Sequence, residues 1–115
     1  MKSDEITVAG YMAAMAGQAA RDIVAERVRQ ITKEGWTADH DDAHSLGQMA
    51  GAALCYLAED IPHWARQQAH GCYWPWDAEW WKPGDHRRNL VKAGALILAE
   101  IERLDRAADK EGQPQ

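Results

Sequence analysis

The C-terminal segment of the chain, residues 86–110, reads "HRRNLVKAGALILAEIERLDRAADK" and contains no proline. Apolar residues recur in it at intervals of three and four positions, which is the repeat of one face of an α-helix. The stripe consists of Leu90, Gly94, Ile97, Ile101 and Leu104, widened by Val91 and Leu98. Asp85 stands where its side chain can cap the first turn. The segment therefore predicts a long helix whose apolar face packs on the rest of the domain.

The first third of the chain is also helical in pattern. Residues 7–34 are rich in Ala, Met and charged helix formers, contain no proline and end before Gly35, which suits a helix C-terminus. Gly10 and Gly17 weaken the beginning, so one long helix with a loose start and two separate helices are both compatible with the sequence. One apolar face is predicted, made of Val24, Val28 and Ile31.

A further helix is predicted between Ser45 and Asp60. Ser45 and Gln48 have the spacing of a capping box. In this motif the side chain of each residue accepts a hydrogen bond from the backbone N–H of the other. The buried stripe of this helix is expected to consist of Leu46, Met49, Ala50, Ala53 and Leu57. The sequence thus predicts a second amphipathic helix with a defined start.

Prolines shape the segment between this helix and the last one. Pro62 can begin a short helical turn, which we expect to reach Gln68. Pro75 and Pro83 then disfavour regular helix, because the residue before each is pushed toward an extended conformation. The segment therefore predicts a short helical turn followed by an irregular loop.

The whole pattern lacks the period-two alternation of β-strands. At 115 residues the chain is long enough for one core without disulfides or metal. We predict a single all-α domain over residues 1–115, a three- to four-helix bundle with a Trp-rich irregular loop before the last helix. Residues 1–19 form a loose N-terminal helix or the start of one long helix, and residues 111–115 are expected to be a disordered tail.

The charge balance excludes one class of partner. Lys and Arg number 13 against 18 Asp and Glu, and the net charge is −5 at pH 7. Double-stranded nucleic acid requires a positive surface, so we do not expect it as a partner. A small anionic ligand remains compatible, because a few local arginines can bind a phosphate within an acidic protein.

The cysteines and the N-terminus bear on the compartment. Cys55 and Cys72 form no CxxC pair, and the first residues lack the basic, apolar and small-residue succession of a secretory signal. No apolar run approaches the roughly 18 residues of a membrane span. We therefore expect free thiols, a cytoplasmic location and no membrane partner.

Residues 70–88, "HGCYWPWDAEWWKPGDHRR", concentrate aromatic and cationic side chains. Aromatic faces stack on nucleobases, and arginine and lysine bind phosphate. The candidate ligand-binding residues are Trp74, Trp76, Trp80 and Trp81 for stacking and Lys82, Arg87 and Arg88 for phosphate, with Trp36 packed against the same loop. Arg87 and Arg88 also fall in the first turn of the last helix, where free N–H groups favour an anion. The segment predicts either a structural plug over the bundle or a plug that also forms a pocket for a nucleotide-like ligand.

A second candidate is "HDDAH", residues 40–44. If this segment is helical, His40 and His44 lie on one side at a spacing that suits a divalent metal, with Asp41 or Asp42 as an oxygen ligand. The interpretation that we favour is a helix cap or a polar cluster that faces the ligand. His40, Asp42 and His44 would then contact groups such as ribose hydroxyls, and we assign no metal ligand and no catalytic residue.

The carboxylates permit an enzymatic alternative. "ERLD", residues 102–105, resembles the E-x-x-D half of the motif of MazG-like nucleotide pyrophosphohydrolases. The E-x-x-E half is missing, since Arg29 stands three residues after Glu26. In this alternative the chain would use Mg²⁺, and the metal ligands and a general base would come from Glu26, Glu34, Asp41, Asp42, Glu102 and Asp105.

Two long stretches carry another resemblance, "AERVRQITKEGWTADHDDAHSLGQMAGAALCYLAED" and "WPWDAEWWKPGDHRRNLVKAGALILAEIERLDRA". They resemble a group of small accessory proteins of tailed phages and prophages, over about residues 21–108. By analogy with other compact phage proteins, the resemblance implies an anti-defence role in the host cytoplasm. Such a protein would be a homo-oligomer that sequesters a nucleotide second messenger without catalysis or a cofactor. A protein-binding inhibitor that uses the Trp-rich loop as its contact surface is the remaining alternative.

Overall fold

The computed structural model describes residues 7–15, 17–61 and 63–112. The all-α prediction is confirmed, since no strand occurs in these ranges. The helices are α1 (Val8–Met15), α2 (Gln18–Lys33), α3 (Ala38–Asp42), α4 (Gln48–Ala58), α5 (His63–Tyr73) and α6 (His86–Glu111), and a single 3₁₀ turn spans Ala78–Trp80. None of the helices in the described part of the chain combines the length and apolar character needed to cross a membrane.

Helices α4 and α6 form the centre of the fold. Helix α5 packs on α4, and α2 packs on the other side of α6. The buried residues of the core are Trp36, Met49, Ala52, Ala53, Tyr56, Ala93, Leu96 and Ala99. Alanines on both α4 and α6 allow the two helices to approach closely, and the large side chains Met49, Tyr56 and Leu96 fill the remaining space.

The N-terminal segment forms two helices. Helix α1 ends at Met15 and α2 begins at Gln18, with Gly17 in an extended conformation at the N-cap of α2. Of the two alternatives compatible with the sequence, the structure therefore has separate helices. Residues 1–6 and 16, which belong to the predicted N-terminal segment, lie outside the described ranges, as do residues 113–115 of the predicted tail.

The capping box predicted for Ser45 is wrong. Helix α4 begins at Gln48, and its N-cap is Gly47, whose φ of 82° lies in the left-handed region that favours glycine. The side chain of Gln48 instead accepts a hydrogen bond from the backbone N–H of Leu46 at 2.7 Å. The turn before α4 therefore depends on the backbone freedom of Gly47 and not on a serine cap.

The helices around the Trp-rich loop are partly as predicted. Helix α5 continues past Gln68 to Tyr73, so residues 70–73 are helical and the irregular segment begins at Trp74. Pro62 lies outside the described residues. The cap predicted for Asp85 is confirmed, since its carboxylate accepts a hydrogen bond from the N–H of Arg88 at 2.8 Å.

The apolar stripe predicted to face the core on α6 is exposed. Leu90, Ile97, Ile101 and Leu104 are 43 to 52% exposed, and the buried face of the helix consists of Asn89, Val91, Lys92, Ala93, Ala95, Leu96 and Ala99. Asn89 is satisfied inside the protein, because its amide donates to Asp60 and to the Gly84 carbonyl at 3.1 Å each. The Lys92 ammonium donates to the carbonyl of Lys82. These bonds connect α6 to the loop before it and to Asp60, just after the end of α4. The face of α6 that carries Asn89, Lys92 and the alanines is therefore the buried face.

The other predicted stripes are only partly buried. On α4, Met49 and Ala53 belong to the core, whereas Ala50 is exposed and Leu57 is 39% exposed; Leu46 precedes the helix and is 88% exposed. On α2, Val24 and Val28 are more than half exposed, and the buried residues are instead Glu26, Arg27 and Gln30. An apolar repeat therefore identified these helices and part of the buried face of α4, but not the buried face of α2.

Gly51 provides a test of the packing between α4 and α5. A Cβ atom added there would lie 2.7 Å from the backbone carbonyl oxygen of Tyr73, which cannot move without shifting the end of α5. We expect Gly51→Ala to lower the free energy of unfolding by about 1–3 kcal/mol through overpacking. The measurement is urea unfolding followed by far-ultraviolet circular dichroism.

Gly71→Ala is the matched control for this substitution. Gly71 lies in α5, and no atom stands within 4 Å of a Cβ added there. Because alanine favours helix over glycine, this variant should be more stable than the parent by up to about 1 kcal/mol. Equal destabilisation by both substitutions would contradict the close α4–α5 contact.

Candidate functional site

The Trp-rich loop folds back onto the core of the bundle. Trp74, Trp76 and Trp81 are half-buried and pack against the buried core residues. Trp36, in the connection after α2, is 6% exposed, and its ring lies 4.8 Å from that of Trp76 between centroids. The prediction that Trp36 packs against this loop is therefore confirmed.

Local backbone geometry places Trp36 at this position. Gly35 has a φ of 76°, which turns the chain after α2, and the Trp36 N–H then donates to the Gln30 carbonyl at 3.0 Å. The guanidinium of Arg27 donates to the Trp36 carbonyl at 3.1 Å. Helix α2 thus holds the tryptophan at both its backbone N–H and its backbone carbonyl.

The aromatic side chains form two adjoining clusters. The first contains Trp36, His40, His44 and Trp76, with centroid distances of 4.3 to 6.0 Å between neighbouring rings. The second contains Tyr56, His70, Trp74 and Trp81, at 4.6 to 6.0 Å. A perpendicular contact between Trp74 and Trp76, at 5.5 Å, joins them. Most of the predicted stacking residues therefore take part in one continuous aromatic assembly.

A pocket opens on the first cluster. Its volume is about 280 Å³, and it is lined by Glu34, Trp36, His40, His44, Trp76 and Trp80. The Trp76 indole Nε1 is buried, and no described residue forms a hydrogen bond with it. We call this concavity the aromatic pocket. Five of the predicted ligand-binding residues meet in it, and Glu34 is the lining residue that was assigned only to the metal-binding alternative.

Histidines form one wall of the aromatic pocket. Helix α3 is capped by Thr37, whose hydroxyl accepts from the His40 N–H at 3.3 Å. Nδ1 of His40 is 2.9 Å from a carboxylate oxygen of Asp41, and Nδ1 of His44 is 2.6 Å from the His40 carbonyl. Because these bonds engage Nδ1 of each ring, the two side chains have fixed orientations beside Trp76.

Lys82 lies beside the aromatic pocket. Its ammonium is 2.9 Å from Glu34 and 5.5 Å from the centroid of the Trp80 ring, and the lysine side chain is half exposed. The backbone N–H of Lys82 donates to the Tyr56 hydroxyl at 3.3 Å. The predicted cation is therefore close to the predicted aromatic residues.

Arg87 and Arg88 lie elsewhere. They line a separate concavity of about 190 Å³ with Asp22, Ala25, Glu26 and Arg29. Arg87 pairs with Asp22 at 2.8 Å, and Arg88 bonds Glu26. The structure thus separates these arginines from the tryptophans with which they were grouped, and it couples both of them to carboxylates of α2.

Arg29 organises a network of charges that the sequence analysis missed. Its guanidinium donates to both oxygens of Glu26, at 2.8 and 2.9 Å, and to Glu34 at 2.9 Å. Glu26 is fully buried in its side chain and also contacts Arg88. Glu34 is 3% exposed in its side chain and also contacts Lys82. Part of this network could have been predicted from the sequence, because Glu26, Arg29 and Glu34 occur close together in one short segment.

The network changes the acidity of both carboxyls. Burial alone would raise the pKa of Glu26, but the hydrogen bonds and positive charges of Arg29 and Arg88 outweigh it and hold the pKa below its usual value. Burial would also raise the pKa of Glu34, but hydrogen bonds and positive charge from Lys82 and Arg29 outweigh burial and lower it. Both side chains are therefore stable as anions inside the protein.

The carboxylates of the metal-binding alternative are dispersed and paired. Besides the two in the network, Asp41 bonds Arg27 at 2.8 Å, Asp42 bonds Arg106 at 2.9 Å and Glu102 bonds Arg27 at 3.1 Å. Within the described residues, no group of three or more His, Cys, Asp or Glu side chains is arranged to hold a metal ion. These donors do not fit Mg²⁺, because arginines already neutralise Glu26, Glu34, Asp41, Asp42 and Glu102 in the positions that the cation would take.

The remaining predicted residues occupy neighbouring places. Asp42 does not line the aromatic pocket with His40 and His44. It lines a separate concavity with Ser45, Arg103, Arg106, Ala107 and Lys110. Trp81 lines a larger concavity of about 430 Å³ with His70, and Trp74 packs between the two aromatic clusters. The sequence thus identified the aromatic components of the aromatic pocket, whereas Asp42 belongs to another part of the surface.

Comparisons with protein-family models, curated proteins and solved structures found no match to this chain. Function must therefore be inferred from the aromatic pocket and its surroundings. The pocket is lined by indole and imidazole rings, which together suit a flat ring that carries hydrogen-bonding atoms at its edge.

Glu26 provides a test of the buried network. We expect Glu26→Gln to lower the free energy of unfolding by about 2 kcal/mol, because two arginines lose a charged acceptor. Glu102→Gln is the control, since its carboxylate is 52% exposed and bonds Arg27 from the surface. That change should cost less than about 1 kcal/mol. The measurement is chemical unfolding of both variants. A larger loss of unfolding free energy in Glu102→Gln than in Glu26→Gln would contradict the network.

The lowered carboxyl pKa values also predict a direction of pH dependence. Glu26 and Glu34 have folded-state pKa values below the ordinary 4.5, so the unfolded chain binds more protons as the pH falls. Their contribution to stability is complete above about pH 4.5 and is lost as the pH falls through the folded-state values. Thermal melting between pH 7 and pH 3 should show this loss, with a shallower slope in Glu26→Gln. An identical slope in that variant would exclude Glu26 as a contributor.

Proposed function

We propose that this protein binds a small nucleotide-like ligand by its base in the aromatic pocket and sequesters the ligand without changing it chemically. The observation that carries the proposal is a pocket lined by three tryptophans, Trp36, Trp76 and Trp80, and by two histidines, His40 and His44. A nucleobase supplies a flat face that stacks on indole rings, and atoms at its edge that form hydrogen bonds with imidazoles.

The size of the aromatic pocket limits the part of the ligand that enters it. Its volume of about 280 Å³ is just below the range of about 300–1,000 Å³ that is typical for drug-sized ligands. One base with its ribose suits this space better than a complete dinucleotide. Stacking on tryptophan contributes about 1–3 kcal/mol per base, and His40 and His44 offer ring nitrogens near the ribose.

The charges near the aromatic pocket suit a ligand whose phosphate remains at the surface. Lys82 is the predicted cation nearest to the pocket, and it already shares its charge with Glu34. Arg87 and Arg88 are engaged by Asp22 and Glu26 and line a different concavity. Their predicted role in phosphate binding would require a ligand long enough to reach from one concavity to the other.

Sequestration is favoured over hydrolysis by the state of the acidic groups. Glu34, the carboxylate in the aromatic pocket, is held as an anion by Arg29 and Lys82. A general base must be able to accept a proton near neutral pH, and a carboxyl with a lowered pKa is poorly suited to that task. The proposal includes the biological context implied by the resemblance to phage proteins. The ligand would be a nucleotide signal of the host's defence, removed in the cytoplasm by a homo-oligomer.

Retention and release of ligands test this function directly. The purified protein is incubated with Mg²⁺ and a panel of nucleoside triphosphates, cyclic dinucleotides and cyclic ADP-ribose isomers, then filtered and heat-denatured. Chromatography of both fractions should show one compound that is depleted from the filtrate and recovered intact from the denatured protein. Recovery of a nucleoside monophosphate and pyrophosphate from a nucleoside triphosphate would instead indicate a pyrophosphohydrolase, and any other cleaved product would also contradict sequestration. Retention of none of the compounds would contradict the proposal and favour the protein-binding alternative.

Two tryptophan variants localise the binding. Trp76→Ala should weaken binding of the retained compound at least about tenfold, since it removes one of the aromatic side chains that line the pocket. Trp64→Ala is the matched control, because Trp64 is 71% exposed on α5 and lines none of the concavities described above. Thermal melts establish that both variants are folded at the assay temperature. His44→Ala, in the wall of the aromatic pocket, should also weaken binding, and unchanged affinity in both pocket variants would place the ligand elsewhere.

A further inference from the structure

The longest helix of the protein exposes its most apolar stripe. Leu90, Ile97, Ile101 and Leu104 recur along α6 at intervals of seven, four and three residues and are 43 to 52% exposed. Their spacing is the heptad spacing of residues that pack between two helices. Leu98 is 37% exposed, and Val24 and Val28 of the neighbouring helix α2 are 57% and 52% exposed. Seven large apolar side chains are thus exposed on two adjacent helices.

One position of this repeat is covered by the protein itself. A Cβ atom added to Gly94 would lie 3.2 Å from Cδ1 of Ile23, so α2 packs directly on that point of α6. The four large residues of the repeat have no comparable cover and retain about half of their surface in solvent. Exposed apolar patches that are aligned on one face commonly mark an interaction surface. The stripe is therefore a candidate interface.

We propose that the partner is a second copy of this chain and that the two α6 helices pair antiparallel across a twofold axis near Ile97. The two ends of the stripe are symmetric about that residue, because Leu90 lies seven positions before Ile97 and Leu104 lies seven positions after it. A twofold axis there places Ile97 against Ile97 and Leu90 of each copy against Leu104 of the other. A self-complementary surface of this kind is what a twofold interface requires.

The charges of α6 favour the antiparallel direction. Between His86 and Ala99 the helix carries Arg87, Arg88 and Lys92 and no carboxylate. Beyond Ala99 the acidic residues outnumber the basic ones, with Glu100, Glu102, Asp105, Asp109 and Glu111 against Arg103, Arg106 and Lys110. Antiparallel pairing brings the positive end of each copy to the negative end of the other, whereas parallel pairing would bring like ends together.

Arg87 contributes most directly to this complementarity. Its side chain is 56% exposed although it pairs with Asp22, so it remains available at the surface. In the proposed register Arg87 of one copy faces residues near Ala107 of the other, between Asp105 and Asp109. The interface is independent of the aromatic pocket and its ligand.

Solution mass tests the pairing. Size-exclusion chromatography with light scattering should give the mass of two chains at micromolar concentration. Ile97→Glu should give the mass of one chain, with a helical circular dichroism spectrum that shows the variant is folded. Leu54→Glu is the matched control, since Leu54 on α4 is 42% exposed and Ile97 is 44% exposed. A monomeric parent protein, or a dimer that survives Ile97→Glu, would overturn the proposal.

Cysteine cross-linking tests whether the two α6 helices pair antiparallel or parallel. It does not require a variant that weakens the dimer. In a background with the exposed Cys72 replaced by serine, Ile97→Cys should form a disulfide-linked dimer on mild oxidation. Leu90→Cys and Leu104→Cys should cross-link when the two variants are mixed, and each alone should do so at least tenfold more slowly. Rapid cross-linking of Leu90→Cys alone and of Leu104→Cys alone would show parallel helices. Failure of all of these pairs to cross-link would place the interface on another surface.

Discussion

The buried carboxylate of Glu26 is the constraint on which the rest of the structure depends. A charge without contact to water must be paired, and here the partners come from Arg29 on the same helix and from Arg88 at the start of α6. Arg29 extends the pairing to Glu34, and Glu34 extends it to Lys82 in the Trp-rich loop. Helix α2, the loop and the first turn of α6 are therefore fixed to one another by one connected set of charges.

This arrangement explains how an irregular loop can form a defined pocket. Trp74 and Trp81 pack on Tyr56 and His70, as expected of a structural plug. Trp76 packs on Trp36 and leaves a space next to the histidines. The same loop thus closes the core with some of its tryptophans and lines the aromatic pocket with others. The two interpretations of this segment are compatible because they concern different side chains.

The sequence was sufficient for the helices and for the aromatic half of the site. Helical periodicity and the Asp85 cap depend on neighbours a few positions apart, so they could be read directly from the chain. The buried face of α6 could not, because it depends on bonds from Asn89 to Asp60 and from Lys92 to Lys82, which only the tertiary fold brings together. For the same reason Arg87 and Arg88 were grouped with tryptophans beside them in sequence, although their partners lie on α2.

The spacing of the indole rings has an optical consequence. Trp36, Trp76, Trp74 and Trp81 form an unbroken series, with centroid separations of 4.8, 5.5 and 4.9 Å between successive rings. Indole rings at such distances can exchange electronic excitation before it is emitted as light. A molecule that contacts Trp76 would therefore change the fluorescence of the neighbouring tryptophans as well as its own. Intrinsic fluorescence would thus respond to any molecule that enters the aromatic pocket.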